Sequence, residues 1–312
     1  MKILTLDQIK SVLPSVDLMG EIERGFVAYS QGRAVVPPVG ELIMRDPPGD
    51  VHIKYGYISG DDYYVIKVAS GFYENYKLDL PSGDGLMLVF SQKTGMLEAI
   101  LLDEAYLTDV RTAIAGAIAA KYLAPPKVER IGIVGAGNQA RLQLEYLKPV
   151  TDCRDVLVWA PSEDEFAAYQ RDMSEKGFHV STTTDADDIM ASCKLIVTTT
   201  PATKPILSGQ VKSGTHITAM GSDTHDKQEL DAEILQQADL VVADSISQCL
   251  ERGEIHQALK ANAITEAGLV ELGSIIAGDA VGRKSDEQIT VADLTGVAVQ
   301  DIQISKAVIG AR

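Results

Sequence analysis

The sequence predicts an α/β protein, in which a doubly wound parallel sheet fills the larger part of the chain and an α+β domain precedes it. Three observations predict this. From residue 130 onward short apolar runs alternate with helical patterns, as parallel strands joined by crossover helices do. Between residues 35 and 103 short β runs follow one another with turn chemistry between them and no helical pattern. At the junction stands Ile131-Gly132-Ile133-Val134-Gly135-Ala136-Gly137-Asn138-Gln139-Ala140, a strand that runs into a glycine turn and then a helix. That is the shape of a dinucleotide site on a Rossmann-type sheet. Gly135 permits the sharp turn, Gly137 lets backbone approach a pyrophosphate, and Ala140 permits close helix packing. The helix N-terminus offers N–H groups and partial positive charge to phosphates.

Taken in order, Leu6 to Tyr29 carries Leu13, Val16, Met19, Ile22 and Phe26 at helical spacing, interrupted by Pro14, and so predicts two short helices. Strands follow at Gly40 to Met44, Val51 to Ile58, Tyr63 to Val68, Gly85 to Phe90 and Glu98 to Asp103, in an expected antiparallel sheet. Asp-Pro-Pro-Gly, Ser-Gly-Asp-Asp and Lys93-Thr94-Gly95 supply the turns. Leu107 to Leu123 is an alanine-rich helix, and Pro125-Pro126 after it reads as a hinge between domains. Beyond the hinge, strands are expected at Arg130 to Val134, Asp155 to Trp159, His179 to Thr182, Leu195 to Thr199, His216 to Ala219 and Leu240 to Ala243. Helices are expected at Asn138 to Leu147, Glu163 to Glu175, Asp185 to Ala191 and Asp231 to Gln237.

Composition narrows the function classes. A formal charge of −16 leaves no basic excess to displace counterions, which argues against a nucleic-acid or anionic membrane partner. An anionic substrate must then meet a few placed cations. Cys153, Cys193 and Cys249 are odd in number and widely spaced, which suggests a reduced compartment and no disulfide framework. Met1 to Lys10 has neither the basic lead nor the apolar core of a signal peptide, and no window approaches the roughly 20 apolar residues of a membrane span. A cytoplasmic location is expected. His225 and Asp226 stand beside Asp223, but no second ligand cluster accompanies them, and His52, His179, His216 and His256 are isolated, so no metal is expected.

The ribose end of the dinucleotide fingerprint departs from the usual form. After Val156-Leu157-Val158-Trp159, where an acid normally meets the 2′-hydroxyl, the chain reads Ala160-Pro161-Ser162-Glu163. Neither that acid nor an adjacent arginine is present, so the choice between NAD(H) and NADP(H) stays open. The lack of a local cation leans toward NAD(H), because a 2′-phosphate needs neutralising. Ser162 can donate to either group, or the Glu163-Asp164 pair simply caps the next helix.

Several blocks together carry a family resemblance. They are Leu107-Thr108-Asp109-Val110-Arg111-Thr112-Ala113 with Ala119 to Pro125, the glycine stretch Gly135 to Ala140, and Thr198-Thr199-Thr200-Pro201. Further on come Gly221-Ser222-Asp223 with Lys227-Gln228-Glu229-Leu230, and Gly282-Arg283-Lys284 before Gln288-Ile289-Thr290. In this order, and over nearly the whole chain, they resemble the ornithine cyclodeaminase and mu-crystallin family. The family spans ornithine cyclodeaminase, an alanine dehydrogenase type, ketimine and iminosuccinate reductases and ectoine-catabolic relatives. The resemblance implies a homodimer with a substrate-binding and dimerisation domain at residues 1–118 and 298–312, and an NAD(P)-binding domain at residues 119–297. It implies hydride exchange between nicotinamide and the α-carbon of a small α-amino or α-imino acid.

The same resemblance implies site residues. Arg111 and Lys67 match the family's carboxylate-binding cations, and Asp223 matches the acid that faces the substrate amine, an acid the mu-crystallin branch typically lacks. Cofactor contacts are implied at Thr112, Gly135, Gly137, Asn138, Gln139, Ala160, Ser162, Thr199, Thr200, Met220, Gly221, Ser222, Lys227 and Thr295. Without the resemblance each of the three charges has an ordinary reading: Lys67 as an outward strand charge, Arg111 as half of a surface pair beside Asp109, and Asp223 as a turn residue. One departure stands out. The family often has an arginine directly after the proline pair, and here Pro37-Pro38 is followed by Val39. Lys54 or Arg45 would then supply the missing cation, and the pocket need not be the ornithine one.

Overall fold

The computed structural model describes residues 1–72 and 74–311 of the chain. It divides into two compact units, Met1–Arg111 with the residues from Val297 onward, and Thr112–Gly296.

The first unit is a seven-stranded sheet with helices on one face. Its strands are β1 (Lys2–Thr5), β2 (Ala34–Val35), β3 (Gly40–Arg45), β4 (Pro48–Ile58), β5 (Tyr63–Phe72), β6 (Gly83–Ser91) and β7 (Leu97–Leu102). The order is β1-β7-β6-β5-β4-β2, with β3 paired to β4. The sequence led us to expect an antiparallel sheet. The meander is antiparallel, but β1 adds to its edge in parallel with β7, which makes the sheet mixed. Two helices flank Pro14 as expected, α1 (Leu6–Val12) and α2 (Leu18–Ser30), and the proline itself sits in a tighter turn over Leu13–Ser15. Thr5 and Gln8 form a reciprocal capping box on α1, and the Asp17 carboxylate accepts the Gly20 N–H at 3.1 Å to start α2. Helix α3 (Tyr106–Leu123) contains the division between the units.

Alternation along the meander sets two faces. Leu4, Leu101, Met87, Lys67 and Lys54 stand opposite one another in register and form one buried row across five strands. Two of the five are lysines. The face they point to is covered by the C-terminal helix Ala298–Gly310, which is buried on nearly all sides and packed on α2, β4 and β5. The opposite row, Ile3, Ile100, Leu88, Ile66 and Tyr55, is entirely apolar and only partly covered.

The second unit is a parallel sheet with crossover helices. In chain order it holds β8 (Ile131–Val134), α4 (Asn138–Leu147), β9 (Asp155–Trp159), α5 (Phe166–Glu175), β10 (His179–Thr183), α6 (Ala186–Ser192) and β11 (Leu195–Thr198). Then come β12 (Thr203–Leu207), β13 (His216–Ala219), β14 (Gln228–Leu230), α7 (Ala232–Gln237), β15 (Leu240–Ala243), α8 (Ile246–Cys249), α9 (Gly253–Lys260), β16 (Leu269–Glu271), α10 (Leu272–Ala277) and β17 (Thr290–Asp293). The main sheet runs β10-β9-β8-β11-β13-β17-β15-β16, all parallel, while β12 and β14 form a separate pair. The order reverses between β8 and β11, which is where an open α/β sheet binds its ligand, beyond the strands' C-terminal ends. All six expected strands are present. Strands β16 and β17 and the β12–β14 pair were not expected, and the helix expected over Glu163 to Glu175 opens with a separate turn at Glu163–Glu165. Among the described residues no helix is long and apolar enough to cross a membrane.

Candidate active site

In the first unit three charged side chains meet inside the fold. Lys67, on β5, places its Nζ 3.2 Å from Asp301 Oδ2, and Arg111, on α3, donates from Nε to Asp301 Oδ1 at 3.1 Å. Arg111 Nη1 also donates to Gln300 Oε1 at 3.0 Å. Lys67 is 2 % exposed, Arg111 6 % and Asp301 1 %. The ordinary readings of Lys67 as an outward charge and Arg111 as a surface pair therefore do not hold. Burial disfavours the charged ammonium and is the main reason the Lys67 pKa falls to about 7, with the Arg111 guanidinium and Lys54 adding repulsion and Asp301 opposing them. Such a lysine is poised to gain a proton when an anion arrives.

The placement of Arg111 is fixed by how α3 begins. Asp103 ends the run after β7, and its Oδ2 accepts the Leu107 N–H at 2.9 Å. Glu104 and Ala105 between them adopt left-handed conformations, φ 53° and 64°, which L side chains rarely take. Burial raises the Asp103 carboxyl to about 6.

Lys54, 6 % exposed, lies directly across the β4–β5 ladder from Lys67, so the cation considered for the gap at Val39 stands beside the other two. Arg45 does not join them. It is exposed at the tip of the β3–β4 hairpin, paired with Pro48, roughly 20 Å along the strand from Lys54 at about 3.3 Å per residue.

In the second unit the glycine loop follows β8. Gly135 takes φ 111°, its N–H donates to the Trp159 carbonyl at 2.8 Å, and a Cβ there would lie 2.8 Å from Thr199 Oγ1. Thr199 is tied to the same strand end, donating from N at 2.9 Å and from Oγ1 at 3.1 Å to the Val134 carbonyl. At Gly137, the N-cap of α4, a Cβ would meet nothing within 4 Å. The loop thus presents bare backbone and open space just ahead of the Asn138 and Gln139 helix start, and these residues fit a pyrophosphate. Arg141 reaches back from α4 to the Ala136 and Gly137 carbonyls and pairs with Asp172 at 3.0 Å, so the loop's acceptors are held from behind. Thr112 carries a related contact, its carbonyl accepting from Gln143 Nε2 at 3.2 Å.

Beyond β9, Ala160 is buried, and Ser162 Oγ accepts the Asp164 N–H at 3.3 Å, which caps the turn Glu163–Glu165. Ser162 therefore serves as a cap here.

The turn after β13 carries Met220, Gly221, Ser222 and Asp223. Met220 N–H donates to the Thr198 carbonyl at 3.1 Å, and Ser222 Oγ donates to the Lys227 carbonyl at 2.6 Å. Lys227 Nζ lies 2.7 Å from Asp223 Oδ1, and Arg252 reaches the Asp223 carbonyl at 3.4 Å. Thr295, after β17, donates to Asp244 Oδ1 at 3.1 Å and accepts from Gln248 Nε2 at 2.8 Å.

Beneath these turns lies a set of buried acids to which the sequence analysis gave no role. Glu254 accepts the Glu229 and Leu230 N–H groups at 2.7 and 3.1 Å, and burial lifts its pKa to about 8. Asp293 accepts the Ile255 N–H at 2.8 Å, and burial, then the neighbouring Glu254 charge, raise it. Asp301 and Gln300 were missed as well. The signal that could have found Asp301 is a lone acid in the mainly apolar stretch Val297 to Ile304, where the only other polar residues are Gln300 and Gln303, since a buried carboxylate requires a cation or several donors. Among the described residues no group of three or more His, Cys, Asp or Glu is placed to hold a metal ion.

Comparison with known proteins is consistent over the whole chain. A sequence profile of the ornithine cyclodeaminase/mu-crystallin family matches residues 1–311. An uncharacterized cyclodeaminase of Sinorhizobium fredii is 42 % identical over 310 residues, 98 % of this chain and 94 % of that one. Among solved structures, an archaeal alanine dehydrogenase dimer with bound NAD is similar over all of this chain and 95 % of its own, at 34 % identity and TM-score 0.91. Another is the Thermococcus litoralis Δ1-pyrroline-2-carboxylate reductase in complex with NADH and L-proline. It is similar over 100 % of this chain and 97 % of its own, at 28 % identity and TM-score 0.93.

Proposed function

The chain belongs to the ornithine cyclodeaminase/mu-crystallin family, and from that membership we propose that it is a nicotinamide-dependent oxidoreductase acting on a small α-amino or α-imino acid. The observation that carries the reading is the buried set Lys67, Asp301 and Arg111. Two cations held on one carboxylate inside a fold form a preorganised seat for a second carboxylate, the group every α-amino and α-imino acid presents.

Arg111 and Lys67 take the substrate carboxylate, with Lys54 beside them as the added cation. Asp223 orients the substrate nitrogen, or donates a proton to it in the reductive direction, and Lys227 holds that carboxylate in place. A protonated imine is the better hydride acceptor because its charge is neutralised as the C–H bond forms. The dinucleotide is assigned to Gly135, Gly137, Asn138 and Gln139 at the pyrophosphate and to Thr199, Thr200, Met220, Gly221, Ser222 and Thr295 around the second strand group. When bound, it supplies or accepts the hydride at the α-carbon. NAD(H) is favoured over NADP(H), because Glu163, Asp164 and Glu165 set three carboxylates in the turn after β9, where a 2′-phosphate would be repelled.

The assembly is a homodimer in this reading. The partly open apolar row Ile3, Ile100, Leu88, Ile66 and Tyr55 offers a contact face, and the archaeal relative is a dimer. Free Cys153, Cys193 and Cys249 suit a reducing compartment, and we assign the cytoplasm.

The test follows nicotinamide absorbance, with NADH and NADPH each offered against pyruvate plus ammonia, oxaloacetate plus ammonia and Δ1-pyrroline-2-carboxylate. Consumption with one of these names the substrate class, and consumption with none sinks the reductase reading. A second reading, cyclodeamination of ornithine to proline, is favoured by the cyclodeaminase relative. It predicts ammonia release from ornithine with catalytic NAD and no net NADH. A small-ligand-binding protein of the mu-crystallin kind is the remaining reading, and the retention of Asp223 with Arg111 and Lys67 counts against it, since an apolar ligand pocket has little use for three charges.

A further inference from the structure

The Glu229 carboxylate joins two turns that leave neighbouring strands of the second unit. Its Oε1 accepts from Thr200 N at 2.5 Å and Thr200 Oγ1 at 2.8 Å, and its Oε2 from Thr198 Oγ1 at 2.6 Å and Gly221 N at 2.9 Å. Four donors on two oxygens match the acceptor capacity of an ionised carboxylate. Thr198 ends β11 and Thr200 lies two residues beyond it, and Gly221 follows β13, so one buried side chain spans the C-terminal ends of both strands. The two turns also touch directly, since a Cβ on Gly221 would overlap the Thr200 carbonyl.

The sheet order says which half of a dinucleotide this concerns. Strands β8, β9 and β10 lie to one side of the reversal and β11, β13 and β17 to the other. In a doubly wound sheet the first group takes the adenosine half and the second the nicotinamide half. From the clamp, bonds run on to the acid assigned to catalysis. Glu254 holds the Glu229 and Leu230 N–H groups, Ser222 Oγ holds the Lys227 carbonyl, and Lys227 Nζ holds Asp223.

We infer that Glu229 is a positioning residue for the nicotinamide half of the site, setting the Thr198–Thr200 turn against the Gly221–Asp223 turn. The inference rests on the reading of this unit as the dinucleotide-binding one. It differs from a general role in holding the fold, because all four donors on Glu229 come from the turns after β11 and β13. The first of these abuts the glycine loop at Gly135, but Glu229 itself bonds neither that loop nor the β9 end.

Glu229→Gln tests it sharply. Hydroxyls can turn round to accept, but the Thr200 and Gly221 N–H groups cannot, and they meet different oxygens. A glutamine has one oxygen, so in either orientation one of those N–H groups faces an amide NH2. Calorimetric titration of the full-length chain with NADH and with ADP, which lacks the nicotinamide half, reads the two halves separately. The expected result is NADH affinity reduced on the order of 10-fold, with ADP affinity changed by less than about 2-fold. Thr198→Val, which removes one of the four donors, should weaken NADH binding by about 3-fold and leave ADP alone. NADH affinity equal to wild type in Glu229→Gln overturns the inference, as does an equal loss for NADH and ADP. If Glu229→Gln does not fold, Thr198→Val decides, and unchanged NADH affinity there overturns it. Wild-type protein that binds neither nucleotide would instead overturn the functional reading, and the cofactor-positioning role with it.

Discussion

Lys67 and Asp301, drawn from opposite ends of the chain, meet at 3.2 Å in the core of the first unit, and Asp301 is at the same time the partner of Arg111. Asparagine at 301 would leave two buried cations with only neutral acceptors, its own amide oxygen and Gln300 Oε1. Breaking a buried pair in this way costs about 3–5 kcal/mol when the remaining charge stays. Lys67 escapes part of that cost by giving up its proton, since its pKa already lies near 7. Asp301→Asn is therefore expected to lower thermal stability by several degrees and to raise the KM of the carboxylate substrate about 10-fold or more. An unchanged KM in a folded variant would count against the carboxylate seat.

The pH dependence of the two states has opposite signs. The Lys67 pKa falls from an ordinary 10.5 in the unfolded chain to about 7 in the fold. Between those values the unfolded chain binds the extra proton, so this group's contribution to stability grows as pH rises through that window. Substrate binding runs the other way, because an incoming carboxylate favours the ammonium. KM is expected to rise as pH passes about 7, with a proton taken up on binding. Calorimetry in buffers of different ionisation enthalpy measures that uptake directly, and zero uptake at pH 8 would contradict it.

The physical reasons for what the sequence disclosed are local. Strands β8 and β11 are buried on both faces and read as near-continuous apolar runs between glycine and helical patterns. Strand β17 is equally buried, but Thr290-Val291-Ala292-Asp293 is short and polar at both ends, and its partners β13 and β15 lie far off in sequence. Strand β1 escaped for a similar reason, since its four residues pair with β7. At the site, Lys67 lies among Val65, Ile66 and Val68, and both faces of that strand are apolar. Period 2 then cannot say which face is the core, and only the motif match pointed to Lys67. The glycine loop was legible because the constraint is local, whereas the Asp301 and Glu229 partnerships depend on tertiary proximity.

The glycine loop separates folding from binding. A Cβ at Gly135 would crowd Thr199 and require a left-handed alanine, so Gly135→Ala should lower both stability and NADH affinity. At Gly137 the added methyl meets only open space. Gly137→Ala is expected to melt within about 2 °C of wild type while losing on the order of 10-fold in NADH affinity, because the methyl occupies the approach path of the pyrophosphate. Paired melting and titration curves check it, and unchanged affinity would remove the pyrophosphate from this loop.

Glu254 and Asp293 give the second unit an acid-favoured stability. Both are raised above their ordinary values, Glu254 to about 8, so in the fold they keep protons that the unfolded chain has lost. Their contribution is complete below the unfolded carboxyl range and is lost as pH rises through the folded values. Melting temperature should therefore fall between about pH 5 and pH 7, below the window in which Lys67 acts in the opposite direction. Asp293→Asn can keep the Ile255 N–H bond on its oxygen while removing one charge, and its melting temperature should fall less over the same range. A variant whose profile parallels the wild type would show that this pair does not govern it.

Asp223 decides between an enzyme and a binding protein. Its carboxylate is held by Lys227 at 2.7 Å, and its carbonyl by Arg252, in a turn tied through Ser222 to the Lys227 backbone. Asparagine is nearly the same shape and can keep its oxygen on Lys227, so ligand and cofactor affinity should change by less than about 3-fold. What it cannot do is exchange a proton with the substrate nitrogen, and loss of a general acid or base typically costs about 10²- to 10⁴-fold in rate. Asp223→Asn is expected to bind NADH and substrate while kcat falls by about that amount. Single-turnover rates with pre-bound NADH separate this from slow product release, and a variant that turns over at the wild-type rate would transfer the proton role to another residue.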